Sequence, residues 1–403
     1  MWRARSLPAT FHCLVPTGAV PLVTQSLDEK PEMPEPIFSA AWISLRIAVF
    51  ALSIGLVLFT IGSSIRTLIL PRAANDWPTS FTFGVVRRVF ALLLLRRRDY
   101  VSRDRIMAYY GPVSLLLLLP VWLTLILVAY AGLFWATGID SLYDAFVLSG
   151  SSLLTLGFAS DNTLLHMILA FTEATIGLIL VALLIAYLPT IYAAFSAREA
   201  AVRLLDVRAG TPPSVTAMLI RAHRIGKLEE LGSFWRDWEV LFSQIEETHS
   251  SLPMLVFFRS PVPEQSWVTA AGNVMDSAAF VRSTVDVPVE PNADLCIRAG
   301  YLALRRIAAL FGVSHPAAPR YPEDPIRISR AEYDAVCQEL AAAGVPLKPD
   351  REQTWHDFAG WRVNYDGVLV ALCSITMAPE APWSSDRAPA FDLPALMRKK
   401  ARQ

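Results

Sequence analysis

The chain has little charge and little cysteine. Only 18% of its 403 residues are Asp, Glu, Lys or Arg, against roughly 25% in an average soluble domain. Disorder over most of the length is excluded, because it requires low hydrophobicity and 54% of these residues are apolar. Cys13, Cys296, Cys337 and Cys373 show no CxxC spacing, which excludes a zinc ribbon or a disulfide scaffold. They read as buried small hydrophobes in a reducing compartment. The 36 basic and 36 acidic residues cancel, so there is no basic excess for a nucleic-acid partner. His223, His249, His315 and His356 are dispersed without metal-ligand spacing and read as surface or structural histidines. No P-loop, G-x-S-x-G nucleophile elbow or strand-borne G-x-G-x-x-G occurs, so neither an enzyme nor a bound cofactor is indicated.

What the chain does have is uncharged apolar runs long enough to cross a bilayer. The first is Ile47 to Ile65, between Arg46 and Arg66. The second is Val113 to Trp135, interrupted by Pro120, and the third is Ala174 to Ala197, preceded in the same helix by Leu164 to Glu173. Arginines crowd the first connection, with Arg87, Arg88, Arg96, Arg97, Arg103 and Arg105, and follow the third run at Arg198, Arg203 and Arg208. The positive-inside rule places both regions in the cytoplasm and the N-terminus outside.

These readings give an all-α, multi-pass membrane protein, with the plasma membrane as its expected location and membrane lipid around its spans. Residues 1–40 are expected to be a disordered Pro-rich segment, with Met33 as an alternative start, and 41–70 the first transmembrane helix. Residues 71–109 form a basic cytoplasmic connection in which Val85 to Leu95 reads as an interfacial helix. Residues 110–198 form a second unit built around two spans. Residues 199–403 return to ordinary charge density and read as a cytoplasmic, mainly α-helical domain. Its clearest element is Lys227 to His249, where Leu228, Leu231, Trp235, Trp238, Phe242 and Ile245 recur at helical spacing. Further helices are expected at 264–282, 292–312, 329–343, 352–374 and 393–402.

Between the second and third runs lies IDSLYDAFVLSGSSLLTLGFASDNTLL, too apolar for a solvated loop and too short for another span. Ser141 and Asp144 form an S-x-x-D capping arrangement, the hydroxyl capping the first N–H groups and the carboxylate returning the bond. A helix from Leu142 to Leu154 would be about 18 Å long, roughly half a bilayer core. Non-helical backbone at that depth is tolerated only where it packs in protein or lines water. The segment reads as a re-entrant pore helix followed by a loop.

At its tip stands Thr155-Leu156-Gly157-Phe158-Ala159, with Asp161 after it. This resembles the T-V-G-Y-G-D filter of potassium channels, and the order of span, pore helix, filter and inner span resembles the two-transmembrane pore domain of that family. Glu173-Ala-Thr-Ile-Gly177-Leu also resembles the start of an inner helix there. The resemblance implies a homotetramer in which the carbonyls of Thr155, Leu156, Gly157 and Phe158 replace the hydration shell of a permeant potassium ion. Ala159 replaces the family's second glycine. Because alanine does not cheaply adopt positive φ, the outermost ion site is altered and sodium joins potassium as a candidate permeant ion.

Charge supports the same reading. From Ile106 to Ala197 there is no Lys or Arg, and the formal charges are Asp140, Asp144, Asp161 and Glu173. The three aspartates form an acidic outer mouth, whether as a cation-concentrating vestibule or through simple depletion of positive residues from an outward loop. Glu173 reads as a structural anchor behind the filter or as an ion ligand. Gly177 reads as a gating hinge or as a small residue permitting close helix contact. The expected function is a cation channel gated by its cytoplasmic domain, whose own ligand or protein partner is not legible. The alternative is a non-conducting membrane anchor or sensor with a degenerate pore fold.

Overall fold

The computed structural model describes residues 35–68, 76–97 and 99–388. Regular structure among them is helical, and an isolated bridge pairs Val285 with Leu347. The chain divides into two compact units, Met1–Leu45 and Arg46–Gln403. Of the first, the described part is the start of helix α1 (Glu35–Leu68). Residues 35–40, expected to be disordered, belong to that helix; the remainder of the expected disordered segment, Met33, Cys13 and the helix expected at 393–402 lie outside the described residues.

Among the described residues three helices are long and apolar enough to cross a membrane: Ala40–Leu68, Tyr100–Thr137 and Leu164–Ala209. Between the first two lies α2 (Trp77–Leu94), longer than the interfacial helix expected at Val85 to Leu95. It buries Phe83, Val86, Phe90 and Leu94, and Phe90 meets Tyr110 edge-on at 5.7 Å. Its opposite face, including Val85, Val89 and Leu92, is exposed. A short α3 (Tyr100–Met107), capped by the Asp99 carboxylate on the Ser102 N–H, leads into α4 (Tyr110–Thr137), which continues through Pro120. The side of α4 formed by Leu115, Leu118, Trp122, Ile126, Ala129 and Leu133 is buried at helical spacing. At Gly132 a side chain would collide with Ser53 of α1, so the glycine permits that close approach.

α5 (Leu142–Leu153) follows, and then α6 (Leu164–Ala209), 46 residues long. At 1.5 Å per residue α6 measures about 69 Å, more than twice a hydrocarbon core. Its second half therefore runs on into the C-terminal domain, formed by α7 (Val215–Arg224), α8 (Gly232–Ser251), α9 (Trp267–Ser283), α10 (Pro291–Leu310), α11 (Arg330–Ala342), α12 (Arg351–Arg362) and α13 (Asp366–Thr376). α7 was not expected. The single helix expected at 352–374 is instead α12 and α13, separated by Val363–Tyr365.

Helix α9 is the axis of this domain: every residue in it except Arg282 is buried. Small residues make this feasible, and a Cβ on Gly272 would lie 2.8 Å from Leu369 of α13. Trp235 and Trp238 of α8 are core residues, and Cys296, Cys337 and Cys373 are buried and free. One ion network crosses the core. Arg362 reaches both carboxylate oxygens of Asp276 at 2.6 Å, Asp366 Oδ1 at 2.9 Å and the Trp383 carbonyl at 2.6 Å, and Tyr365 donates to Asp276 at 2.8 Å. Burial opposes the charged guanidinium, but the Asp276 and Asp366 carboxylates outweigh it and raise the Arg362 pKa above its ordinary value.

Candidate functional site

The segment between α4 and α6 forms a half-length helix and a returning loop. Ser141 caps α5 by accepting the Tyr143 N–H at 3.1 Å. The reciprocal bond expected from Asp144 is not formed, and that carboxylate is exposed instead. α5 buries Ala145, Leu148, Ser149, Ser151 and Leu153 between α4 and α6, while Leu142, Tyr143 and Phe146 are exposed.

Ser149 joins three helices. Its hydroxyl lies 3.0 Å from the Leu127 carbonyl of α4 and 2.5 Å from Glu173 Oε1 of α6. Glu173 is 0% exposed, and its second oxygen is buried without a partner. It packs behind α5 and makes no contribution to the exposed surface of the loop. Gly177, one turn further along α6, carries the end of α5. A Cβ there would lie 2.9 Å from Leu153 Cδ1 and 3.0 Å from the Leu153 carbonyl. A larger residue at 177 would push the C-terminus of α5 off α6.

Ser151 makes three of the bonds that hold the loop. The Ser151 carbonyl accepts the Leu156 N–H at 2.8 Å, its hydroxyl accepts the Ala159 N–H at 3.0 Å, and the same hydroxyl lies 3.1 Å from the Ala159 carbonyl as donor. Thr155 and Gly157 adopt positive φ, at 54° and 74°. Ala159 is not among the positive-φ residues. Its carbonyl accepts the Ser151 hydroxyl, while Thr155, Leu156, Gly157 and Phe158 are exposed. Leu156 is 60% and Phe158 68% exposed, large apolar residues left uncovered by their own chain.

Among the acidic residues, Asp140 and Asp144 are exposed and Asp161 is half-buried. Asp161 accepts the Thr163 N–H at 2.7 Å, opening α6, and lies 3.1 Å from His166 Nδ1. His166 Nε2 lies 3.0 Å from Thr137 Oγ1 at the end of α4. Asp161 thus belongs to the frame that ties the two flanking helices together at the loop's exit. Ser149, Ser151 and His166 were not singled out in the sequence.

Below the site, Arg198 is the most heavily bonded residue of α6. It is 2% exposed and donates to the carbonyls of Leu255 at 2.9 Å and Phe258 at 2.7 Å, and to Glu199 at 3.0 Å. Its Nη1 also lies 3.0 Å from His249 Nε2. A second guanidinium, Arg259, contacts Asp104 of α3, the Tyr100 hydroxyl at 2.9 Å and the Met377 carbonyl at 2.7 Å. Residues 255–259 therefore grip both flanking helices of the loop and the end of α13. Phe258 completes the grip by packing on Gly111 of α4, where a Cβ would lie 2.9 Å from its ring. Among the described residues no group of three or more His, Cys, Asp or Glu is placed to hold a metal ion.

No family model, curated protein or solved structure matches this chain.

Proposed function

We propose that the chain is one subunit of a homotetrameric cation channel of the plasma membrane, resembling the two-transmembrane pore-loop potassium channels in its conducting unit. The observation that carries this reading is the loop at Thr155–Phe158: an exposed, hydrogen-bond-tethered backbone at the end of a half-length helix between two helices long enough to span. In this reading four copies bring those backbones together around an axis, cover Leu156 and Phe158, and offer carbonyl oxygens to a dehydrated potassium ion. Exposed Asp140 and Asp144, multiplied by four, add a negative vestibule. The arginine distribution supports a cytoplasmic C-terminal domain and an N-terminus outside. The grip of residues 255–259 on α4 and α6 supports a domain that biases the gate.

The Ala159 carbonyl is engaged by Ser151, so its ring of oxygens does not serve as an ion site. That favours weak discrimination between potassium and sodium, and it is the observation that keeps the alternative, a non-conducting anchor or sensor, in view. Flux of potassium and sodium into liposomes holding the purified protein tests both. Cation flux abolished by Gly157→Pro supports the channel. Silence of both the wild type and Ala159→Gly, or a stable monomer in mild detergent, overturns it.

A further inference from the structure

The C-terminal domain contains a cavity of about 210 Å3 between α7, α9, α11 and the turn at 382–383. It is larger than the roughly 150 Å3 engineered cavity that admits benzene. Its walls divide by chemistry. Val215, Val336 and Trp383 supply apolar surface, while Asn273, Asp276 and Glu339 supply oxygen acceptors. Among the described residues no Lys, Arg or His lines it. Behind the wall, the Arg362 guanidinium is occupied by Asp276, Asp366 and the Trp383 carbonyl.

Two details set this cavity apart from a packing defect. Asn273 is 7% exposed, and its side-chain oxygen has no hydrogen-bond partner. A buried amide left unsatisfied costs about 1–3 kcal/mol, which a ligand donor would recover. Trp383 holds φ at +60°, a conformation that bulky residues rarely adopt. Strain of this kind persists where the surrounding structure over-determines it, and it clusters at ligand clamps. Here the Arg362 bond to its carbonyl and the Asp386 bond to its N–H at 3.2 Å fix it in place beside the cavity.

We infer that this cavity is a binding site for a small amine cation with an apolar body. The acceptors at Asn273, Asp276 and Glu339 match the N–H donors of an ammonium group, the tryptophan and the valines match the body, and the described lining offers a phosphate or carboxylate ligand no cationic side chain. The positive end of α7 does not contradict this, because Ser214 Oγ already takes the Ala217 N–H at 3.2 Å. The site stands independently of ion conduction.

Calorimetry on the full-length protein in detergent, with tyramine as the probe, tests it. Tyramine is expected to bind, while 4-ethylphenol, which keeps the body and lacks the amine, and 4-hydroxyphenylacetate, which replaces it with a carboxylate, do not. Asn273→Leu is expected to weaken binding by about tenfold or more, the loss of one charge-assisted hydrogen bond. Glu339→Gln, an exposed rim position that folding does not depend on, is expected to weaken it by about threefold. Absence of tyramine binding at 10 mM or about that level, equal binding of 4-ethylphenol, or an affinity unchanged in both variants overturns the proposal.

Discussion

α6 and α9 are both rich in apolar residues, and the chain treats them in opposite ways. Only 22% of the most apolar window of α6 is buried within the protein, with Leu178, Ile179 and Ile185 facing outward. α9 is enclosed almost completely by α10, α12, α13 and α7. An apolar helix left uncovered by its own chain must be covered by lipid or by further copies of that chain, because uncovered apolar surface of this size does not persist in water. An enclosed helix needs neither. One half of the molecule is completed from outside, and the other completes itself.

The largest expected effect tests the self-contained half. Arg362→Ala would leave Asp276 and Asp366 buried without their partner and cost about 3–5 kcal/mol. Urea unfolding followed by tryptophan fluorescence should show early loss of the C-terminal domain, while the helices from α4 to α6 remain assembled. Gly177→Leu acts on the other half. It should cost about 1–3 kcal/mol through overpacking against Leu153. Flux and oligomer size should fall while the urea transition of the C-terminal domain stays in place.

A third test uses pH at the junction between the halves. Burial, then the charge of Arg198, hold the His249 pKa well below its ordinary value. Its neutral form is therefore the one that folding favours. The associated stability is fully present above the unfolded value near ~6.5 and declines as pH falls below it, by at most about 1.4 kcal/mol per pH unit. Unfolding midpoints measured between neutral and mildly acidic pH should show that slope in the wild type and a flatter one in His249→Gln. The smallest effect belongs to Glu173→Gln. The Ser149 hydroxyl has one hydrogen for two acceptors, Leu127 O and Glu173 Oε1. A glutamine brings its own donor, so flux and stability should change by less than about 1 kcal/mol. A large loss would instead favour an ion-binding role for Glu173.

Much of the outer architecture was legible because it rests on local patterns. Long uncharged runs mark the three helices that can span, and Ser141 marks the start of α5 to the residue. The division of roles inside the site was less legible, since it depends on contacts between distant residues. Arg198 reads in the sequence as one of several flanking positive charges, yet its acceptors lie 57 and 60 residues away and bury it completely. The tether of the loop by Ser151 spans only eight residues to Ala159, but nothing in a run of small polar residues distinguishes Ser151 from Ser149 or Ser152. The reciprocal cap from Asp144 was expected from spacing alone and failed, because spacing permits that bond without requiring it.

The length of α6, which continues through Pro189, has a mechanical consequence. Ala209 lies 32 residues beyond Gly177, or about 48 Å along the axis. Were the helix to tilt by about 5° around the contact between Gly177 and Leu153, its far end would sweep sideways by about 4 Å. Arg198 sits partway along that arm, and Arg259 anchors the adjacent segment to α3 through Asp104. Such a rotation beside the loop would become a shear of several ångströms where α7 begins, braced partway by the bonds of Arg198 to residues 255 and 258.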